Sequence, residues 1–448
     1  MRPLTMARIL WKRAQLRPHD TWTRAELVAH QSRSFDELRA FALAHSPFYG
    51  NWHRGLERAP LADLPVVTKA TMMSHFDDFV TDRSIHLVDL QQHLEGLRGD
   101  ELFHGRYWVA ATSGSSGMRS VIPSNAQEWT TIVASYARAN EWSGVRVSPL
   151  RITRMAIVSS RSTFHQSARV GQTVESPFVR TCRLDAGEPL SSIIEALNTF
   201  RPDVLVAYAS MIRMLAEEQL AGRLHITLRG VNSASEVLTP EVRIRVTQAW
   251  GVAPFDVYAA TETGGIAAEC DRHQGMHLFE DLVISEVVDD DYRPVPPGTT
   301  GARLLVTVLF SRTLPLIRYE LTDRVCLSDQ QCSCSRPFRL VAAIEGRTDD
   351  IIELRGQDGG KVGIHPVVFH RVLDLLHAEA WQVRQEDRGL RVLIVWPHAS
   401  VNRAAVAERI RDALRVAGAA PLDVLVEDVH SISAGAGGKR PLSVAARH

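Results

Sequence analysis

The sequence predicts an α/β fold: a large N-terminal domain of mainly parallel sheets covered by helices, with a β-rich subdomain, and a small mobile α/β C-terminal domain. Three observations carry this expectation. The chain has 448 residues, too many for one ordinary hydrophobic core. From about residue 105 to 260, short β-rich runs alternate with amphipathic helices, as parallel strands with helical crossovers require. Between about 266 and 345 the texture becomes strand–turn–strand, and a second alternating unit follows Gly346.

The elements follow in order. Residues 1–90 carry apolar side chains at three- and four-residue spacing, as in "AELVAHQSRSFDELRAFALAH", and predict helices. The opening "MRPLTMARILWKRAQLRPHD" is basic with no acid before Asp20, a bias shared by transit peptides but accounted for by an amphipathic first helix. "RMAIVSS" predicts a strand, "PLSSIIEALNTF" a helix, "DVLVAYAS" a strand and "MIRMLAEEQLAG" a helix closed by glycine. "LTPEVRIRVTQAWG" predicts a helix with a threonine cap, a proline in its first turn and a glycine stop. "FDVYAATET" is the next strand, and "VPPGTTGARLLVTVL" sets Pro-Pro-Gly punctuation before another. Beyond Gly346, "PVVFHRVLDLLH" and "NRAAVAERIRDALRVAG" predict helices; "AWQVRQE", "LRVLIVWP" and "LDVLVEDV" predict strands. The expected domains are 1–345, with a helical region at 1–90 and a β-rich subdomain at 266–345, and then 346–448.

Composition excludes several classes. An apolar fraction of 45% and a charged fraction of 23% are those of a soluble globular protein. Fifty-one basic residues balance fifty-one acidic ones, so no global field draws the chain to nucleic acid or anionic lipid. No apolar run approaches the ~18–20 residues that span a bilayer. Five unevenly spaced cysteines make no disulfide framework and suit a reducing, cytoplasmic setting. Only Lys12, Lys69, Lys361 and Lys439 are lysines. A GC-rich genome explains that bias, yet a retained lysine offers a compact charge that planar guanidinium does not.

The stretch "YWVAATSGSSGMRS" runs from an apolar strand into a Ser/Gly loop. Two glycines permit close backbone approach and four hydroxyls replace phosphate hydration, although a plain connector shares this composition. No lysine follows Gly117, unlike a mononucleotide P-loop. "VYAATETGG" puts Tyr258, Thr261 and Glu262 at the carboxyl end of a predicted strand, where open α/β sheets bind ligands. An aromatic ring can stack on a purine, and a carboxylate can hold Mg2+ against phosphates. "PLIRYELTD" ends in Asp323, and "EGRTDDIIELRG" puts Arg347 at the junction of the two domains. "SAGAGGKRPLS" presents Lys439 on a glycine-rich loop. Each piece alone also reads as core tyrosine, surface acid or solvated tail. A separate cluster pairs "CDRHQGMH" (270–277) with "CSC" (332–334). Cys270, His277, Cys332 and Cys334 would fill a closed tetrahedral Zn2+ site, with Cys326 and His273 as substitutes; Cys182 is expected to be buried and inert.

In order and spacing this set resembles the adenylate-forming superfamily, most closely its phenylacetate–CoA ligase branch and the subgroup with the deazaflavin-adenylylating synthetases. The resemblance covers nearly the whole chain, including "HSPFYGNW" and "LADLPVVTKATMMSHFDDF". It implies an ATP-dependent ligase that activates a carboxylic acid as acyl-AMP and passes it to a thiol such as coenzyme A. By the same resemblance, Thr112, Ser113, Gly114, Ser115, Ser116 and Gly117 would cover the outer phosphates of ATP. Ser235 and Glu236 would line the adenine pocket, Tyr258 would stack on adenine, and Thr261 would contact the α-phosphate. Glu262 would bind Mg2+, Asp323 the ribose, and Arg347 would sit near ribose and phosphate. Asp349 would be the hinge, and Lys439 the catalytic lysine of the C-terminal domain. Several members of the branch share the cysteine–histidine pattern.

The chain also departs from the pattern. Ser120 stands where many relatives of the broader superfamily have lysine, which the phenylacetate–CoA ligase branch often lacks too; Thr322 stands where glycine is common, and "RGQDGGKVG" carries an extra Gly-Gly near the expected acceptor channel. The last difference weakens the case for coenzyme A. Phe164, His165, Tyr208, Asn232, Ala259 and Gly264 are candidates for the acid pocket, and an aromatic or otherwise compact acid is expected. Two alternatives stay open: adenylyl transfer to a hydroxyl- or amine-bearing substrate without thioester formation, and a non-catalytic nucleotide-binding protein with this fold. No nucleic-acid or membrane partner is expected, and a homodimer is left open.

Overall fold

Five parallel strands make one side of a nine-stranded sheet, and four antiparallel strands complete it. The computed structural model describes residues 3–112, 119–145, 151–159, 165–174, 178–186, 188–347, 352–364, 366–373, 376, 380–386, 389–396, 402–432 and 443–444. Across the sheet the order is Val179–Asp185, Thr153–Ser159, Val204–Ala207, Gly230–Ala234, Phe255–Ala260, Gly264–Glu269, Met276–Leu278, Leu340–Arg347 and Asp323–Leu327. The first five run parallel in successive pairs, with helices between them in sequence. The alternation read from the sequence is therefore this half of the sheet.

Local chemistry sets the crossover helices. The helix Pro240–Trp250 starts where the Thr239 side chain accepts from Val242 N and stops at Gly251, whose φ of 69° is left-handed. Its neighbour Ala209–Leu220 buries Met211, Ile212 and Leu215 against the same core as Val242 and Val246. The β-rich stretch after residue 266 serves two sheets. Some of its strands extend the nine-stranded sheet, while Val283–Val288, Arg303–Val308 and Tyr319–Leu321 form a separate antiparallel sheet. Alternating hydrophobicity marks a strand but does not choose its partner.

The N-terminal helices pack back onto this body. The helix Pro3–Leu16 buries Ile9, Arg13 and Leu16. Behind it, Arg138 of helix Ala126–Trp142 and Asp281 are both fully buried and make two hydrogen bonds of 2.7 Å. His19 Nδ1 lies 2.7 Å from Asp281 Oδ2, and Arg138 also donates to Leu16 O at 3.3 Å. Burial alone would raise the Asp281 carboxyl, but the charge and hydrogen bonds of Arg138, with His19, hold it well below the usual carboxylate range. The pair's stabilisation is thus complete above the ordinary carboxylate range and is lost only as pH falls through the depressed value. Replacing one partner strands the other charge. We expect Arg138→Met to cost about 3–5 kcal/mol in urea unfolding, and Arg138→Met with Asp281→Leu to recover most of it. A double variant as unstable as the single one would contradict this account.

Beyond Arg347 the chain builds its own core, including Ile352, Phe369, Val383, Val392 and Ile410. A four-stranded sheet in the order Asp423–Asp428, Gly389–Val395, Ala380–Glu386 and Ser443–Val444 accompanies helices Pro366–Leu373 and Arg403–Val416. The extra Gly-Gly forms the turn of the hairpin Ile352–Arg355 and Lys361–Ile364, where Gly359 has φ 83° and Gly356 N donates to Gly360 O at 2.7 Å.

Candidate active site

The site begins where parallel strands end. Strands Val204–Ala207, Gly230–Ala234 and Phe255–Ala260 are successive neighbours, so Tyr208, Ser235 with Glu236, and Thr261 with Glu262 emerge along one edge of the sheet. Carboxyl ends of parallel strands are the usual ligand edge of such sheets. Across the sheet, the buried Tyr258 hydroxyl donates to Asp323 Oδ2 at 2.9 Å. Asp323 is in turn the register partner of Arg347, the last residue of its strand. Three residues far apart in sequence thus meet at one end of the sheet.

Glu262 is half-buried, and its Oε1 accepts from the Tyr319 hydroxyl at 3.2 Å. Burial pushes the Tyr319 phenol well above its ordinary value and Glu262 adds to the rise, so this hydroxyl keeps its proton. The Tyr319 oxygen also lies 3.5 Å from Ser120 Oγ. Ser120 N donates to Thr112 Oγ1 at 2.9 Å and Thr112 N to Ser120 O at 3.0 Å, which pins together the two ends of the Ser/Gly loop. Lys69 Nζ reaches the same hydroxyl, 3.4 Å from Thr112 Oγ1. Sequence reasoning missed Tyr319 and the placement of Lys69. The usable signals were the tyrosine inside "RYELTD" and the scarcity of lysine.

Other expected residues have structural work as well. Thr261 O accepts from Gln166 Nε2 at 2.9 Å, and Gln166 Oε1 accepts from Tyr136 at 2.9 Å, tying helix Gln166–Val174 to the site. Glu236 Oε2 accepts from Ser210 N at 2.8 Å, at the N-terminus of helix Ala209–Leu220, where the helix dipole favours a carboxylate. Ser235 is exposed, with φ 70°. Gly264 has φ 73°, and a Cβ on Gly265 would come within 2.8 Å of Phe279 and 2.9 Å of Ser135 Oγ. Close packing on helix Ala126–Trp142 therefore explains the glycines of "TETGG". Ala259 is half-buried at the irregularity of that pairing. His165 and Tyr208 are buried, and buried Asn232 donates to Asn140 Oδ1 at 2.9 Å. Ser113, Gly114, Ser115, Ser116, Gly117, Phe164, Asp349 and Lys439 lie outside the described residues, and only the backbone of Arg347 is described.

The cysteines and histidine come together at the antiparallel end. The ligand atoms of Cys270, His277, Cys332 and Cys334 all lie within 4.8 Å of one another, a grouping unique among the described residues. Cys270 and Cys332 sulfurs are 3.7 Å apart, and Cys334 Sγ is 3.3 Å from His277 Nε2. A tetrahedral zinc with bonds of about 2.3 Å to sulfur and 2.0 Å to nitrogen needs edges of about 3.8 and 3.5 Å. The donor set fits. Burial pushes the Cys270 thiol up to about 12 and holds the His277 imidazole down at about 4, the neutral form that ligates. Gly275 makes the loop possible: with φ 118°, its Cβ would sit 2.7 Å from Val341 O. His273 turns to Glu269 instead, at 3.2 Å, and Cys326 donates to Leu327 O at 3.6 Å. Cys182 is half-buried on the strand Val179–Asp185, more exposed than expected, because this strand lies at the sheet's edge.

No family model matches the chain. It is 26% identical over 376 residues to a phenylacetate–coenzyme A ligase of Thermus thermophilus, covering 79% of this chain and 76% of the relative. Among solved structures, 2-hydroxyisobutyryl-CoA ligase in its postadenylation state with R3-HIB-AMP superposes with a TM-score of 0.75 at 20% identity, over 96% of this chain and 91% of that one. The amide bond synthetase McbA of Marinactinospora thermotolerans superposes at 0.51 and 18% identity, over 74% and 66% of the two chains. The chain is thus a homologue of phenylacetate–CoA ligases with the fold of the adenylate-forming acyl-CoA ligases.

Proposed function

We propose that the chain is an ATP-dependent ligase that converts an aromatic or otherwise compact carboxylic acid to its acyl-adenylate and then transfers the acyl group to a thiol such as coenzyme A. The observation that carries this reading is the convergence of Tyr258, Asp323, Glu262 and the pinned Thr112–Ser120 loop mouth at one edge of the sheet. In the first half-reaction a carboxylate oxygen bonds to the α-phosphorus and pyrophosphate leaves with the electron pair of the broken P–O bond. In the second, a thiolate attacks the acyl carbon and AMP leaves.

The residues divide this work by type. Tyr258 and the 235–236 segment hold adenine, Asp323 and Arg347 the ribose, and Thr261 the α-phosphate. Glu262 keeps acceptor capacity beyond its bond from Tyr319 and would hold Mg2+, which supplies positive charge to the phosphates. His165 and Tyr208, buried beside this edge, would shape the acid pocket. A structural zinc on Cys270, His277, Cys332 and Cys334 would tie the antiparallel strands together. Five unevenly spaced cysteines suit a cytoplasmic setting.

ATP–pyrophosphate exchange over a panel of acids, followed by assay for a CoA thioester, tests the reading. Exchange with a compact acid and formation of its thioester are expected. Exchange without a thioester would instead mark transfer to a hydroxyl or amine, and ATP binding without exchange would mark a non-catalytic protein.

A further inference from the structure

We infer that Gln166 is a positioning residue of the site. With Tyr136 it forms a relay that fixes the peptide between Thr261 and Glu262, so that Glu262 N–H faces the ligand edge and donates to an oxygen that gains charge during adenylation. The inference rests on the ligase reading above. Thr261 and Glu262 are the two central residues of a turn closed by Thr263 N, which donates to Ala260 O at 3.2 Å. That bond leaves the central peptide unused, and turn types differ chiefly in the direction of this peptide. Gln166 Nε2 settles the direction by donating to Thr261 O at 2.9 Å. A trans peptide is planar, with its C=O and N–H on opposite sides. Holding Thr261 O against the buried Gln166 amide therefore turns Glu262 N–H away from the interior, to the side where the parallel strands end.

The amide serves in one orientation only. A carbonyl oxygen accepts and never donates, so the nitrogen end of Gln166 has to face Thr261. Its Oε1 then accepts from the Tyr136 hydroxyl at 2.9 Å. Gln166 is 4% exposed, so loss of either bond would leave a polar group buried without a partner. Both members of the relay sit on packed elements: Tyr136 on helix Ala126–Trp142, and Gln166 as the first residue of helix Gln166–Val174. The first of these helices also meets the chain just after the turn, where Gly265 N donates to Ser135 Oγ at 3.0 Å. The turn is thus gripped on both sides, and its peptide plane is set before a ligand arrives. As the carboxylate oxygen bonds to the α-phosphorus, negative charge builds on the oxygens of that phosphate. A donor already aimed at them favours the transition state over the ground state.

Acid-dependent ATP–pyrophosphate exchange and calorimetric MgATP binding test the assignment on the full chain, with Gln166→Leu, Gln166→Glu, Tyr136→Phe and the Gln166→Leu/Tyr136→Phe double variant. Gln166→Leu should lower kcat about 10- to 100-fold while MgATP affinity changes by less than about 3-fold. The retained affinity also shows that the variant is folded. In that background Tyr136→Phe should cost nothing further, because its hydroxyl acts only through the amide. Gln166→Glu should recover exchange relative to wild type as pH falls, since only the protonated acid can donate to Thr261 O. Unchanged kcat in Gln166→Leu, additive losses in the double variant, no recovery in Gln166→Glu, or an equal fall in MgATP affinity each overturns the positioning role and leaves the ligase reading standing. A wild-type chain that binds MgATP but exchanges with no acid overturns both.

Discussion

Lys439→Ala is expected to lower acid-dependent ATP–pyrophosphate exchange by about 10²- to 10³-fold while leaving MgATP binding nearly unchanged. The physical reason is the meeting of two anions. A carboxylate approaching the α-phosphate is repelled until a cation bridges them, and that bridging matters most in the transition state. The chain beyond the strand Leu340–Arg347 builds its own hydrophobic core, and a lysine carried on a mobile C-terminal domain would approach for adenylation and withdraw before the acceptor enters. The expected signature is a fall in kcat with little change in KM for ATP. Exchange unaltered by Lys439→Ala would remove that residue from the chemistry.

Local patterns showed much of the fold and a good part of the site. Alternation between 150 and 260 picked out three of the five parallel strands, Thr153–Ser159, Val204–Ala207 and Phe255–Ala260, but not Val179–Asp185 or Gly230–Ala234, and Thr239, Pro240 and Gly251 bounded one helix almost to the residue, because caps and periodicity act within a few positions. The cluster of Cys270, His277, Cys332 and Cys334 stood out because cysteine and histidine in such spacing are rare. What stayed hidden depends on pairing between distant segments. Nothing near Asp281 announces Arg138 as its partner, and nothing near Thr112 announces Lys69. "TETGG" shows a different limit: its acid reads as a site residue, yet its glycines answer to Ile132, Ser135 and Phe279 packed against them. Glu236 likewise serves the N-terminus of helix Ala209–Leu220, a use that no motif encodes.

Cys270→Ser should abolish stoichiometric zinc binding, from about one ion per chain to none, and should destabilise the antiparallel end of the sheet by about 4 kcal/mol or more, the range of a lost metal. The four side chains come from the end of strand Gly264–Glu269, from strand Met276–Leu278 and from the connection between Asp323–Leu327 and Leu340–Arg347. Zinc would thus cross-link segments separated by up to 64 residues in sequence, from Cys270 to Cys334, at the edge that also carries Asp323. Loss of the ion leaves Cys270 and His277 fully buried with no charge to hold them in register. Hydrogen exchange should therefore rise in 264–278 and 323–345 and remain unchanged in the C-terminal core. The same strain should reach the nucleotide site through Asp323, weakening AMP binding. Cys326→Ser and Cys182→Ser serve as controls and should retain zinc, since their sulfurs lie outside the cluster. Full zinc retention by Cys270→Ser, or its loss in Cys326→Ser, would show that the ion is held by a different set of ligands.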